Sequence, residues 1–540
     1  MKKTLSLILC LLILLSALGV STAFADETVT PDVTESPSAA STDAPTQAPT
    51  QAPTQAPTQA PTQAPTQAPT QAPTEEPASH AVPQVYIVTD ENNGLSLKKA
   101  DGYTAATMTV IDTDGTQIGG EGQVKIRGNS TQNLNKKSYT FKYSKKTDVL
   151  GMGKAKKWAL VANMFDPTLL RNNVAFTTAQ TLGLEYTSLF RVVEVWMDGS
   201  FRGCYNLIEP VQEGKTRVDI DIESNGGKKD FIIEREYNHV DEGVVYFKSK
   251  GLRFACKEPD PPNEEQLAYI QSTVDDIFDA LNSGNRAEIE KKVDIESFAK
   301  FYLLNEFVKE VDFNYSSTFF YYKDGKLYAG PPWDYDLSMG NEDAAASENY
   351  ASANKTSDLY CNDKHFYWRL CKHDWFFDAV RAEYLKHSAY LDNIGAQGGL
   401  IDTLYAVNRQ PIDNNFLVAK WSRSAYYQNI NRKPSSVYSE NLDYFKTWCF
   451  ERAAWLKGYF TENITAYIIG DADGDEILSV LDATAVQRKI ASMSLNNFVT
   501  YAADSDCDAS LTVLDATAIQ RKLVDFEVPY TGEQMYRKAS

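Results

Sequence analysis

Residues 329–341 read AGPPWDYDLSMGN, with two carboxylates, Asp334 and Asp336, set two positions apart between Trp333, Tyr335 and Leu337. In an extended segment alternate side chains share a face, so both carboxylates would point the same way. Like charges held that close repel unless a cation or a proton lies between them. Taken alone, the stretch reads as a polar edge strand entering a turn at Gly340 and Asn341.

A second acidic pattern is duplicated. DADGDEILSVLDATAVQRKIA (471–491) aligns with DSDCDASLTVLDATAIQRKLV (504–524) at an offset of 33 residues with thirteen identities. Each copy places Asp at loop positions 1, 3, 5 and 12: Asp471, Asp473, Asp475 and Asp482, then Asp504, Asp506, Asp508 and Asp515. Hard oxygen ligands at this spacing suit Ca²⁺, with a backbone carbonyl at position 7 (Ile477, Ser510) and a water-bridged hydroxyl at position 9 (Ser479, Thr512). Leu478 and Leu511 would pin the two loops together. One copy alone would read as a solvated acidic turn; two in register, each opening a helix, argue for a pair of Ca²⁺ sites. An EF-hand ends in a bidentate Glu and has a helix before its loop, whereas position 12 here is Asp.

The elements that hold these residues follow from local pattern. Runs such as QVYIVTD, ATMTVIDTDG, GQVKIRGNS and KKSYTFKYS alternate as strands between Gly and Asp turns. FRVVEVWMDGSFRGCYNLIEPV reads as a hairpin about Asp198 and Gly199. GMGKAKKW (151–158) lacks phosphate-loop spacing and reads as a surface turn before a strand. Farther on, Leu267, Ile270, Val274, Phe278 and Leu281 share one helical face between an Asn263 N-cap and Gly284, and a second helix follows Asp294. Residues 350–460 are aromatic and helical. A β-rich half before a helical half predicts two lobes of one α+β domain. Asp166 before Pro167 reads as an N-cap with Pro at the first helical position, and Arg171 as its local partner. Lys136 and Lys137 read equally as solvated strand residues, and Arg127 as half of a structural ion pair.

Composition bounds the function. Asp and Glu number 72 against 53 Lys and Arg, a formal charge of −19 that argues against a nucleic-acid partner. Lys2 and Lys3 precede an apolar run that ends in STAFA, the signature of a secretory signal peptide over 1–25, with an uncleaved anchor as the alternative. Cys10 has no lipobox before it, and no later apolar run is long enough to span a bilayer. A secreted, extracellular protein is expected, without membrane attachment after cleavage. Residues 26–82 hold seven tandem QAPT units (47–74) and form a linker without a face to bury, at ~3.1 Å per residue where polyproline II persists. Six cysteines remain: Cys204, Cys256, Cys361, Cys371, Cys449 and Cys507. Their wide spacing suits no zinc site and leaves bridges or buried thiols equally open.

The duplicated segment resembles a type I dockerin, the module that plugs enzymes into cellulosome scaffoldins. The resemblance implies a small all-α module over 467–530, followed by a tail (531–540), that binds two Ca²⁺ and a cohesin domain. Its cohesin-contacting positions fall on Val480, Leu481, Gln487 and Arg488, and on Val513, Leu514, Gln520 and Arg521, so either copy would dock. It departs from the family at position 6, where Glu476 and Ala509 replace Gly.

Familiar kinase words are absent: there is no G-x-G-x-x-G, no H-R-D and no D-F-G. The ordered set IRGNSTQNLNKKSYTFKY, KKWALVANMFDPTLLRNNVAF, GCYNLIEPV, NEFVKEVDFNYSSTFFYYKDGKLYAGPPWDYDLSMGN and WCFERAAWL nevertheless resembles the spore-coat H (CotH) kinase family. That resemblance implies an atypical two-lobed protein-kinase-like domain over 83–462 that uses ATP with Mg²⁺ or Mn²⁺ to phosphorylate a protein hydroxyl. It implies Asp312 as catalytic aspartate, Asp334 and Asp336 as metal ligands, Lys137 and Arg127 on the phosphates, and Glu209 as a family acidic position. Carboxylates on the metal, cations on the phosphates and an Asp at the hydroxyl are what phosphoryl transfer needs. The reading requires Asp312, one of the paired aspartates and Lys137 to converge on one cavity. Two rivals are a carbohydrate-active enzyme, which would use two carboxylates ~5–9.5 Å apart without those cations, and a catalytically silent binding subunit.

Overall fold

Strong alternation turns the N-terminal half into a barrel. The computed structural model describes residues 80–237, 239–241, 243–342, 353–421 and 432–539; the expected signal peptide, and the expected linker up to residue 79, lie outside them. Strands β1 (Gln84–Thr89), β2 (Thr104–Ile111), β3 (Gln117–Arg127), β4 (Ser138–Asp148), β5 (Lys154–Val161), β6 (Phe190–Met197) and β7 (Ser200–Ile208) close in the order β1-β2-β3-β4-β5-β7-β6. Every pairing is antiparallel except β1 with β6, which closes the barrel in parallel. Alternate residues of β4, Tyr139, Phe141 and Tyr143, are buried with Val124, Ile126, Trp158 and Leu160 in one core. The β6–β7 hairpin turns at Asp198 and Gly199, both at positive φ, which Asp and Gly accept more readily than most residues.

The second half is mixed. Helices α1 (Arg171–Thr181), α2 (Glu264–Ser283), α3 (Arg286–Lys292), α4 (Ile295–Val308), α5 (Asp374–Ile394), α6 (Leu400–Leu417) and α7 (Tyr438–Thr461) accompany a five-stranded antiparallel sheet. Its strands are β8 (Phe231–Arg235), β9 (Tyr246–Ser249), β10 (Leu252–Glu258), β11 (Thr318–Lys323) and β12 (Lys326–Ala329), in the order β12-β11-β8-β10-β9. The expected division into a β-rich and then a helical half is thus corrected: β11 and β12 follow α4, β11 pairs back onto β8, and β12 adds to the outer edge of β11. The molecule is α+β. Helix α2 is capped by Asn263 and ends at Gly284 with φ 74°, as its sequence predicts.

Helix α4 is buried on all sides from Phe298 to Val308, which places Glu306 inside the core. Arg452 of α7 meets it at 2.9 Å with both side chains inaccessible, and also donates to the Thr356 and Asp358 carbonyls. Removing one member of such a pair strands a charge, so Arg452→Ala should lower unfolding free energy by about 3–5 kcal/mol in urea titrations. A loss below about 1 kcal/mol would refute this role.

The C-terminal segment is more than two helices. α8 (Val480–Ile490) and α9 (Val513–Leu523) pack through Ala483, Val486, Ala516 and Ile519, with Leu478 and Leu511 against them. β13 (Ile464–Ile468) pairs antiparallel with β14 (Gln534–Lys538), so the expected all-α module with a free tail is instead closed by a β-ribbon. Ile469 and Met535 join the main helical core. Among the described residues all six cysteines are free thiols, and no helix is long and apolar enough to cross a membrane.

Candidate functional site

Asp312 follows the end of α4 directly. Lys309 leaves the helix in the left-handed region (φ 48°), and Glu310 caps a 3₁₀ turn, Val311–Asn314, by accepting the Asp312 N–H at 3.3 Å. The turn leads into β11. Asp334 and Asp336 lie in the loop after β12, and here the sequence expectation is corrected. Asp334 (φ 66°), Met339 (φ 49°) and Gly340 (φ 74°) take left-handed backbone, so the loop is not extended and strand alternation does not align the two carboxylates. Distant residues hold the loop instead. Asn172 Oδ1 accepts the Tyr335 N–H at 2.7 Å, and Arg171 donates to the carbonyls of Ser338 (3.0 Å) and Met339 (3.3 Å). The Asn341 amide donates to the Phe165 and Asp336 carbonyls. Asp166 pairs with Arg171 at 2.6 Å and accepts the Leu170 and Arg171 N–H groups, although α1 begins at Arg171 and Pro167 lies before it.

Charge gathers where this loop meets the turn. Burial pushes the Asp312 carboxyl up to about 7, assisted by the charges of Asp334 and Glu236. Burial also holds Asp336 well above the usual range, with Asp334, Asp166 and Asp312 adding to it and Arg171 opposing. Asp334 is raised by burial, against the pull of Arg127 and the Ser317 hydroxyl at 3.4 Å. Glu310, only 4% exposed, is raised by burial and then by Asp312, Asp336 and Asp334, and its Oε2 has no hydrogen-bond partner. Four carboxylates thus feel one another in a sheltered site. Their oxygens do not all close up, since among the described residues only the two loop triads of the repeat have ligand atoms all within 4.8 Å of one another. Hard oxygen donors, mutual repulsion and an orphaned Glu310 oxygen fit a divalent cation.

The cations divide. Arg127, at the end of β3, lies 4.9 Å over the Trp333 ring and acts on Asp334. Lys137 donates to the Gln132 carbonyl, and no carboxylate of the cluster acts on it. Its neighbour Lys136 is the buried one, donating to the Ala162 and Cys204 carbonyls, with burial holding it down to about 7. Glu209 accepts the Leu189 N–H at 3.0 Å and lies 3.8 Å from Arg217, where burial pushes it up to about 7. Neither Lys137 nor Glu209 joins the aspartates, so the expected convergence of Lys137 with Asp312 and the paired aspartates is corrected: Arg127 is the cation beside them. Sequence reading missed Glu310 and Asn172; the one visible signal for Glu310 was its place two residues before Asp312.

In the repeat, position 1 folds each loop. Asp471 accepts the N–H groups of Gly474, Asp475 and Glu476, and Asp504 those of Asp508 and Ala509. Asp482 and Asp515 likewise gather loop N–H groups, while Ser479 and Thr512 cap α8 and α9. The triads Asp471, Asp473, Asp475 and Asp504, Asp506, Asp508 converge, and Asp473 Oδ1 is buried without a partner, so the donor set fits Ca²⁺. At position 6, Glu476 (φ 68°) and Ala509 (φ 69°) occupy the left-handed backbone that Gly would take without strain. Val480, Leu481, Val513 and Leu514 are all more than half exposed. The second loop also rests on the larger domain: the Cys507 carbonyl accepts the Arg286 N–H at 2.9 Å, and Arg286 pairs with Glu533.

A family model described as CotH kinase protein matches residues 124–456, more than half of the chain. The match spans β3 to α7, with Arg127, Asp312, Asp334 and Asp336 inside it, and ends before the duplicated loops. No curated protein matches the chain.

Proposed function

The chain belongs to the CotH kinase protein family, and from that premise we propose that it transfers a phosphoryl group from ATP to a protein hydroxyl. The observation that carries this reading is the charge field shared by half-buried Asp312 and Asp334 and buried Asp336 and Glu310, beside Arg127 over the Trp333 ring. Asp334 and Asp336, with Glu310 behind them, would hold Mg²⁺ or Mn²⁺, which when bound neutralises phosphate charge. Arg127, stacked on Trp333, is placed to take a phosphate oxygen. Asp312, raised to about 7, suits a base that accepts a hydroxyl proton near neutrality. The loop grip of Asn172 and Arg171 keeps the aspartates in place before nucleotide arrives.

Calorimetric titration with ATP tests this. Heat of binding should appear with Mg²⁺ and vanish with chelator. Absence of heat in both would favour the second reading, a silent kinase-like scaffold, which the position of Lys137 on the Gln132 carbonyl supports.

The repeat belongs to the same proposal. As a type I dockerin with two Ca²⁺, it would dock a cohesin and attach a secreted kinase to a scaffoldin. Exposed apolar pairs at the start of α8 and α9 support that reading. Replacing Val480 and Leu481 by charged residues should leave cohesin affinity within about threefold while Val513 and Leu514 remain, since either copy docks. Loss of all binding in a pull-down would restrict docking to the first copy.

A further inference from the structure

Beside the catalytic turn lies a cavity of about 380 Å³ lined by Arg235, Tyr237, Val240, Lys248, Gly251 and Arg253. Among the described residues its lining holds three cations and no carboxylate, with Glu236 acting on Arg235 and Arg253 from outside the lining, in a chain of formal charge −19. Arg235 is 3% exposed; it donates to the Arg253 carbonyl, and its Nε has no hydrogen-bond partner. Arg253 lies 3.8 Å over the Tyr246 ring and donates to the His239 carbonyl, which fixes its guanidinium at the cavity. Tyr237 (53% exposed) and Val240 (68% exposed) supply an apolar rim.

The cavity is tied to the site. Tyr237 donates its N–H to the Tyr315 carbonyl at 2.7 Å, and the two rings meet edge to face at 5.6 Å. Tyr315 caps the turn that carries Asp312, and Glu236, next to Arg235, is one of the charges acting on Asp312.

We propose that this cavity binds an anionic side chain of the acceptor protein, a carboxylate or a phosphoryl group on an extended peptide, and so selects hydroxyls flanked by acidic residues. Guanidinium forks match planar or tetrahedral oxyanions, and the tyrosine rim suits the peptide that carries them. The word acceptor rests on the kinase reading; the anion site itself does not.

The test is fluorescence anisotropy with the full chain and a labelled peptide of alternating Glu and Ser, its Gln-for-Glu counterpart, and a phosphoserine version. The acidic peptide should bind about tenfold tighter than the neutral one, and the exposed Lys248→Glu should remove that advantage while leaving the melting temperature and Mg-ATP binding unchanged. Arg253→Gln should weaken binding in the same direction. Tighter binding of the phosphoserine peptide than of the Glu peptide assigns a phosphoryl ligand, and the reverse order a carboxylate. Equal affinity for acidic and neutral peptides, no effect of Lys248→Glu, or displacement of the peptide by Mg-ATP would overturn the proposal. Peptide binding without any ATP binding would refute the kinase reading and leave the anion site standing.

Discussion

Asp312→Asn should reduce phosphoryl transfer by about 10²–10⁴-fold while leaving metal-dependent ATP binding intact, because a positioned base acts on the hydroxyl and not on the nucleotide. Asp334→Asn and Asp336→Asn should instead weaken ATP binding itself, since each removes a charged ligand. Stability gives an independent readout. Burial raises all three aspartates, and the Asp334 charge adds to this at Asp312 and Asp336, so a neutral residue at either of those two relieves a cost that the metal-free protein carries. Asp312→Asn and Asp336→Asn should therefore melt no lower than the parent without metal, whereas Asp334→Asn also removes the carboxylate that faces Arg127; on the kinase reading all three should lose the stabilisation expected from Mg-ATP. Such an exchange of stability for activity is expected of sites that hold like charges together. A variant that melts lower in chelator, with transfer unchanged, would show that the aspartate is structural.

Chelation should produce the second large effect. With EGTA, the duplicated segment should lose much of its helical ellipticity, because eight loop carboxylates must otherwise repel within two short turns. At free Ca²⁺ about 100-fold above each dissociation constant, each site should add about 2.7 kcal/mol. The fragment for this measurement is 463–539, since β13 and β14 close the module and a shorter piece would leave both strands unpaired. In the full chain the effect should extend beyond the repeat. The second loop holds the Arg286 N–H through the Cys507 carbonyl, so hydrogen exchange at the start of α3 should quicken on chelation. A circular dichroism spectrum unmoved by EGTA would refute metal-dependent folding.

What was legible in the sequence was local. The Asn263 cap and Gly284 stop of α2, the Asp198 and Gly199 turn, and the loop geometry of the repeat depend on partners a few residues away, and local spacing therefore determined them. The carboxylates of the repeat converge for the same reason: one short loop carries each triad. The cluster around Asp312 is different. Asp334 and Asp336 were visible as a pair, yet strand alternation mispredicted how they are held. Their loop is bent by left-handed residues and gripped by Arg171, whose Ser338 contact spans 167 residues. Glu310 becomes part of the cluster only because packing buries it against aspartates from another loop. The family resemblance implies both Lys137 and Arg127 on the phosphates, and of the two it is Arg127, over the Trp333 ring, whose charge acts on Asp334. The parallel closure of β1 on β6 and the clasp of β13 on β14 join segments far apart in the chain. Short-range hydrogen bonds and spacing were thus fixed by residue order, whereas the long-range pairing that sets charge against charge was decided by burial in the tertiary fold.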